Sequence, residues 1–193
     1  MTTCKSIIIF ASGTGSNAEA IIRYFNNNSS INIEAVFSNN AHAEVLEKAQ
    51  KMGVNRFVFN NNQLTNSSDV LKQLVQLSPN LVVLAGFLKK IPQNIIEAFP
   101  NKIINIHPAL LPKYGGKGMY GQNIHRAVVQ NQESESGISI HYINKNYDEG
   151  GLIFQAKCSL SENETPESLS EKVRVLEHTH YPLIIEKILN NDI

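Results

Sequence analysis

Short apolar runs alternate along the chain with stretches whose apolar positions recur every three or four residues. Ser6 to Ala11 predicts a buried strand, and Ala18 to Phe25 a helix with Ile21, Ile22 and Phe25 on one face. Ile33 to Phe37 predicts the next strand and His42 to Met52 a helix closed by Gly53. Arg56 to Phe59 is a third, weaker strand. Ser67 to Leu77 is a helix with Val70, Leu71, Leu74 and Val75 as its stripe. Leu81 to Ala85 reads as a strand, Gln93 to Phe99 as a short helix after Pro92, and Ile103 to Ile106 as a further strand. This alternation implies right-handed crossovers and a mostly parallel sheet with helices on both faces. Such sheets take ligands at the carboxyl ends of their strands, so the loops that follow strands are where chemistry is expected.

The second half changes character. From Ile138 to Ile143 the side chains alternate, with Ile138, Ile140 and Tyr142 on one face and Ser139, His141 and Ile143 on the other. Leu152 to Leu160 is its expected antiparallel partner at one end of the sheet. The tail from Pro166 to Asn190 is helical. Thr165 is a good N-cap, Pro166 suits the first helical position, and Pro182 is expected to kink or interrupt the helix.

Composition narrows the class. The 193 residues suffice for one domain with a real core and are short for two. Lysine plus arginine equals aspartate plus glutamate at 17 each, so no whole-protein field draws nucleic acid or a membrane surface. Cys4 and Cys158 stand apart from any CxxC spacing and read as reduced thiols of a cytoplasmic protein. The early apolar run from Ile7 to Ala11 is too short for a signal-peptide core or a membrane span.

Three segments carry candidate chemistry. Ser12-Gly13-Thr14-Gly15-Ser16-Asn17 lies between the first strand and the first helix, where small residues and free N–H groups make an anion site suited to phosphate. With Ala18 the run also fits a dinucleotide fingerprint, but the acidic residue expected after the second strand is replaced by Ser38, Asn39 and Asn40. A tight turn with no ligand is the remaining alternative. Asn105 and His107, two apart at a strand end, point to the same side. An amide can steady an oxyanion there, and an imidazole can carry a proton near neutral pH. Asp148, before the Gly150-Gly151 pair, would favour the imidazolium if it met His107. Taken singly, His107 also reads as a strand-end histidine bonded to backbone, and Asp148 as a turn residue.

Together with Leu84-Ala85-Gly86-Phe87, the run Asn105 to Pro112 (Asn-Ile-His-Pro-Ala-Leu-Leu-Pro) and Asp148-Glu149-Gly150-Gly151, these segments resemble the folate-dependent formyltransferase family over nearly the whole chain. The resemblance implies an α/β, Rossmann-like fold: a mostly parallel twisted sheet, helices on both faces, and a small antiparallel C-terminal portion, forming one formyltransferase domain over residues 1–193. It implies transfer of a formyl group from 10-formyltetrahydrofolate, a co-substrate, to the amine of 5-phosphoribosylglycinamide, with no metal. Asn105, His107 and Asp148 match the family's catalytic trio. Gly13, Thr14, Gly15, Ser16, Asn17, Pro108 and Glu177 match positions on the phosphorylated amine. Leu88, Lys89, Lys90, Ile91, His141 and Ile143, with Asn105 and Asp148, match positions around the folate. Lys89 stands where some members carry an arginine, and an arginine in the helix near Ser68 is also missing. Lys89 can serve only as a point charge there.

The expected partners are small molecules, with neither nucleic acid nor membrane, and the chain is expected to be a monomer or weak homodimer. His178 and His180, two apart on a helix, diverge rather than chelate, and His42 and His125 are expected at the surface. The glycine-rich loop from Lys113 to Gly121 is a candidate lid. Related hydrolases add an N-terminal regulatory domain, and related tRNA formyltransferases add a C-terminal one. With the first strand at about Ser6 and the last residue at Ile193, neither addition is expected. A binding module without turnover and a nicotinamide dehydrogenase are the rivals from other classes.

Overall fold

The structure, a computed structural model, describes residues 4–193. Its centre is a seven-stranded sheet of order β3-β2-β1-β4-β5-β6-β7. Strands β1 (Lys5–Phe10), β2 (Ile31–Ser38), β3 (Asn55–Val58), β4 (Leu81–Leu84) and β5 (Ile103–His107) run parallel. Strands β6 (Glu135–Tyr142) and β7 (Leu152–Ser159) add the antiparallel edge. In β1, β4 and β5 every aliphatic residue is buried because both faces of the sheet are covered.

The alternation within each strand sorts the core into two layers. Ile7 and Ile9 pack with α1 (Ser16–Phe25), α2 (Glu44–Lys51), α6 (Gln122–Gln130) and α7 (Pro166–Asn190). Ile8 and Phe10 pack with α3 (Asn61–Thr65), α4 (Asp69–Leu77) and α5 (Gln93–Ala98). The order reverses at β1: the chain builds outward to β2 and β3, then returns to β4 on the other side. The carboxyl ends of β1 and β4 therefore flank the crevice that a doubly wound sheet offers to ligands.

Differences from the sequence expectations have local causes. Helix α3 arises from a capping box between Asn60 and Gln63, and α6 follows a glycine-rich run that hid its start. Helix α4 starts at Asp69 because Ser68 takes a left-handed backbone. Strand β6 begins at Glu135, with Gly137 inside it. Helix α7 is continuous through Pro182. Proline inside a helix costs about 3 kcal/mol. Here that cost is set against burial of Tyr181, Ile184, Ile185 and Leu189 in the core, each large side chain contributing about 1.5–3 kcal/mol.

The start of α7 is fixed by the expected Thr165 cap and by Glu164. That carboxylate accepts from Lys172 Nζ at 2.6 Å and from Ser161 N at 3.0 Å. These bonds lower its pKa from 4.5 to about 2, the Lys172 bond most and the Ser168 bond next. A depressed carboxylate stabilises the fold above the unfolded value and loses that contribution as pH falls through the folded one. Glu164→Gln is therefore expected to lower urea stability by about 1–2 kcal/mol near neutral pH. The gap to the parent should close between pH 4.5 and about 2. A gap independent of pH over that window would assign the loss to packing.

Candidate active site

The carboxyl ends of β1, β4 and β5 open into a cavity of about 450 Å³. Its walls are the glycine loop, the segment after β4, the end of β5, the loops before α6 and after β6, and one face of α7.

On the β1 side, Gly15 caps α1 with φ of 70°. A Cβ there would lie 2.2 Å from Val45 Cγ2, so only glycine lets α2 lie against the loop. Val45 N also donates to Gly13 O at 3.2 Å. Because the first N–H groups of a helix lack partners within it, the start of α1 presents donors beside Thr14, Ser16 and Asn17 on the cavity wall. Asn17 Nδ2 donates to Glu177 Oε2 at 3.0 Å, and Asn17 Oδ1 is buried with no partner among the described residues. Burial pushes the Glu177 carboxyl above its usual range, and the Asn17 bond opposes that only in part. Arg174 lines the same region one turn earlier on α7 and pairs with Glu171.

On the β5 side, Asn105 and His107 share a face, as their spacing requires. Asn105 pairs in register with His141 of β6, and Asn105 Nδ2 lies 3.2 Å from His141 Nε2. His141 Nδ1 lies 2.9 Å from Tyr142 O. A carbonyl only accepts, so Nδ1 carries the proton and Nε2 accepts from the amide. Burial, the largest effect on this ring, lowers its pKa and keeps it neutral. The amide of Asn105 is thereby oriented, with its second N–H left for the cavity.

His107 is nearly buried, and its Nε2 donates to Tyr114 O at 2.8 Å. Its Nδ1 lies 3.7 Å from Asp148 Oδ2, while Asp148 Oδ1 lies 3.7 Å from His141 Nε2. Neither is a hydrogen bond, and only the first becomes a charge contact when its imidazole is protonated, since His141 is neutral. Asp148 has a left-handed backbone (φ 56°), and its Oδ2 accepts from Gly116 N at 2.8 Å. Gly150, where a Cβ would fall 1.8 Å from Tyr142 O, gives the chain the close path that returns Asp148 to the site. One carboxylate thus faces two imidazoles, and a protonated His107 would have an acceptor at each nitrogen.

The structure brings together Asn105, His107, Asp148, Pro108, Glu177, Thr14, Ser16 and Asn17, with Gly13 and Gly15 shaping the loop. Leu88, Lys89, Lys90, Ile91 and Ile143 also line the cavity. His141, expected in that lining, is fully buried and stands behind Asn105 and Asp148, which do line the cavity. His125, expected at the surface, is 5% exposed and lines the cavity from α6, because α6 packs its face inward. Its Nδ1 has no partner among the described residues, and burial lowers its pKa. Sequence reasoning also missed Arg174, whose spacing of three from Glu177 puts both on one helical face, and the contact of Lys90 Nζ with the Tyr147 ring at 5.3 Å.

The formyl transferase family profile matches residues 5–185. A chloroplastic phosphoribosylglycinamide formyltransferase of Arabidopsis thaliana is 36% identical over an alignment of 191 positions that covers 95% of this chain and 65% of that protein. The phosphoribosylglycinamide formyltransferase of Bacillus subtilis (strain 168) is 32% identical over an alignment of 190 positions that covers 96% of this chain and 95% of that protein. A crystal structure of phosphoribosylglycinamide formyltransferase from Anaplasma phagocytophilum superposes with a TM-score of 0.88 at 32% identity, covering 96% of this chain and 87% of that one.

Proposed function

The chain belongs to the formyl transferase family, and from that premise we propose that it moves the formyl group of 10-formyltetrahydrofolate onto the amine of 5-phosphoribosylglycinamide, a step of purine (IMP) synthesis. The observation that carries this reading is the pairing of two ends in one cavity. An anion-binding helix start with Arg174 and Glu177 lies at one end, and an amide–imidazole–carboxylate cluster at the other. The first suits the phosphate and amine of a phosphorylated amine. The second suits a developing oxyanion. The wall from Leu88 to Ile91, with Ile143, offers an apolar slot flanked by Lys89 and Lys90 to a flat heterocycle with an anionic tail.

In this reading the amine attacks the formyl carbon and the carbonyl electron pair moves to oxygen. The free N–H of Asn105 and a protonated His107 stabilise that oxyanion. Collapse expels the folate nitrogen, which takes the His107 proton, and the proton lost by the attacking nitrogen restores the imidazolium. Asp148, 3.7 Å from His107 Nδ1, aligns the ring. Because His107 Nε2 is engaged by Tyr114 O, the strap from Lys113 to Gly116 must yield that nitrogen before it can serve the substrates. Cys4 and Cys158, both free, fit action in the cytoplasm, and we read residues 1–193 as one formyltransferase domain.

The test follows release of deformylated folate by absorbance, with and without glycinamide ribonucleotide. Release that requires the amine is expected. Equal release without it would make the chain a hydrolase, and no release by folded protein would leave a binding module.

A further inference from the structure

We propose that Ser12, which lies outside the cavity lining, is a positioning residue that holds the two substrate subsites at a fixed distance; this rests on the transferase reading above. Ser12 follows β1 and is 9% exposed. Its Oγ donates to Asn39 Oδ1 at 2.7 Å and accepts from Leu88 N at 3.0 Å. Its own N–H donates to Gly86 O at 3.1 Å. One hydroxyl therefore ties together the ends of three adjacent strands, β2, β1 and β4.

The tie has a chemical consequence because two of these strand ends run into different subsites. Ser12 leads directly into the glycine loop that faces the phosphorylated amine. Leu88 begins the wall that faces the formyl donor. No other side-chain hydrogen bond among the described residues joins the segment from Ser12 to Asn17 to the segment from Gly86 to Ile91. Asn39 stands on the third strand end and fixes the direction of the hydroxyl proton, which leaves an oxygen lone pair for Leu88 N. Removing the hydroxyl costs neither subsite its own ligand contacts. It loosens Leu88 and the wall it begins against the glycine loop, beyond the remaining backbone bond from Ser12 N to Gly86 O, and attack of the amine on the formyl carbon depends on that spacing. A misplacement of about 1 Å between reacting groups can cost about a hundredfold in rate.

Ser12→Ala should therefore lower kcat about ten- to a hundredfold, with KM for each substrate within about threefold. Asn39→Ala, which removes the other end of the tie, should show the same split with a smaller loss. Amide hydrogen exchange at Leu88 should quicken in Ser12→Ala while exchange in β1 and β4 keeps parental rates. A Ser12→Ala enzyme with parental kcat, or with raised KM at unchanged kcat, would overturn the proposal, as would unchanged exchange at Leu88. If the parent itself transfers no formyl group, the transferase reading fails and the catalytic role of Ser12 with it. The Leu88 exchange rate then reports separately whether the hydroxyl holds the two segments together.

Discussion

Asn105→Ala is expected to lower kcat about 10²–10³-fold, the usual loss on removing one oxyanion donor, with KM for both substrates little changed. The donor is effective because it is already aimed. His141, neutral and fully buried, accepts one N–H of the Asn105 amide and leaves the other for the cavity, so no reorganisation is needed when charge appears on the formyl oxygen. His107→Ala should cost at least as much, because it removes both a donor and the acid for the leaving nitrogen, an acid contribution of about 10²–10⁴-fold. The double variant should lose less than the product of the two, since both act on one charge. Steady-state kinetics of the three variants against both substrates decides this. Near-parental turnover in either single variant would remove the assignment of the cluster to chemistry.

Much of this site was legible before the fold was known. Asn105 and His107 share a face because they are two apart on a strand, and the carboxyl end of a parallel strand is where a doubly wound sheet places ligands. The glycine loop was legible for a similar reason: small residues between the first strand and the first helix suit an anion site, although which glycine is required, Gly15, depends on the packing of α2. Contacts made across the sheet were not legible. Nothing local in Ile140-His141-Tyr142 says that His141 lies opposite Asn105, since register depends on the β5–β6 pairing. For the same reason His141 was expected among the lining and His125 at the surface. Each is placed by packing distant in sequence, the β5–β6 pairing for His141 and the packing of α6 against α7 for the helix that carries His125. Pro182 failed as a helix breaker because local propensity yields to a buried face.

Gly15→Ala is expected to have the largest effect on stability, and the argument joins fold to function at one residue. A left-handed backbone costs a side-chain-bearing residue about 1 kcal/mol or more. The added Cβ would also fall 2.2 Å from Val45 Cγ2, 2.4 Å from Val45 Cβ and 3.1 Å from Val45 Cα. The last of these is backbone, so no rotamer change of Val45 relieves the clash, and α2 must move as a body. Overpacking of this kind adds about 1–3 kcal/mol, giving a total loss of about 2–4 kcal/mol in urea denaturation. Displacing α2 also breaks the bond from Val45 N to Gly13 O, which holds the loop at the start of α1. The KM for the phosphorylated amine should therefore rise at least tenfold, about 1.4 kcal/mol, while that for the formyl donor changes little. Gly13→Ala is the control, because a Cβ there meets nothing within 4 Å. It should leave stability within about 1 kcal/mol of the parent. Equal losses in the two variants would mean that the loop tolerates no side chain at all, and that the contact with Val45 does not set its shape.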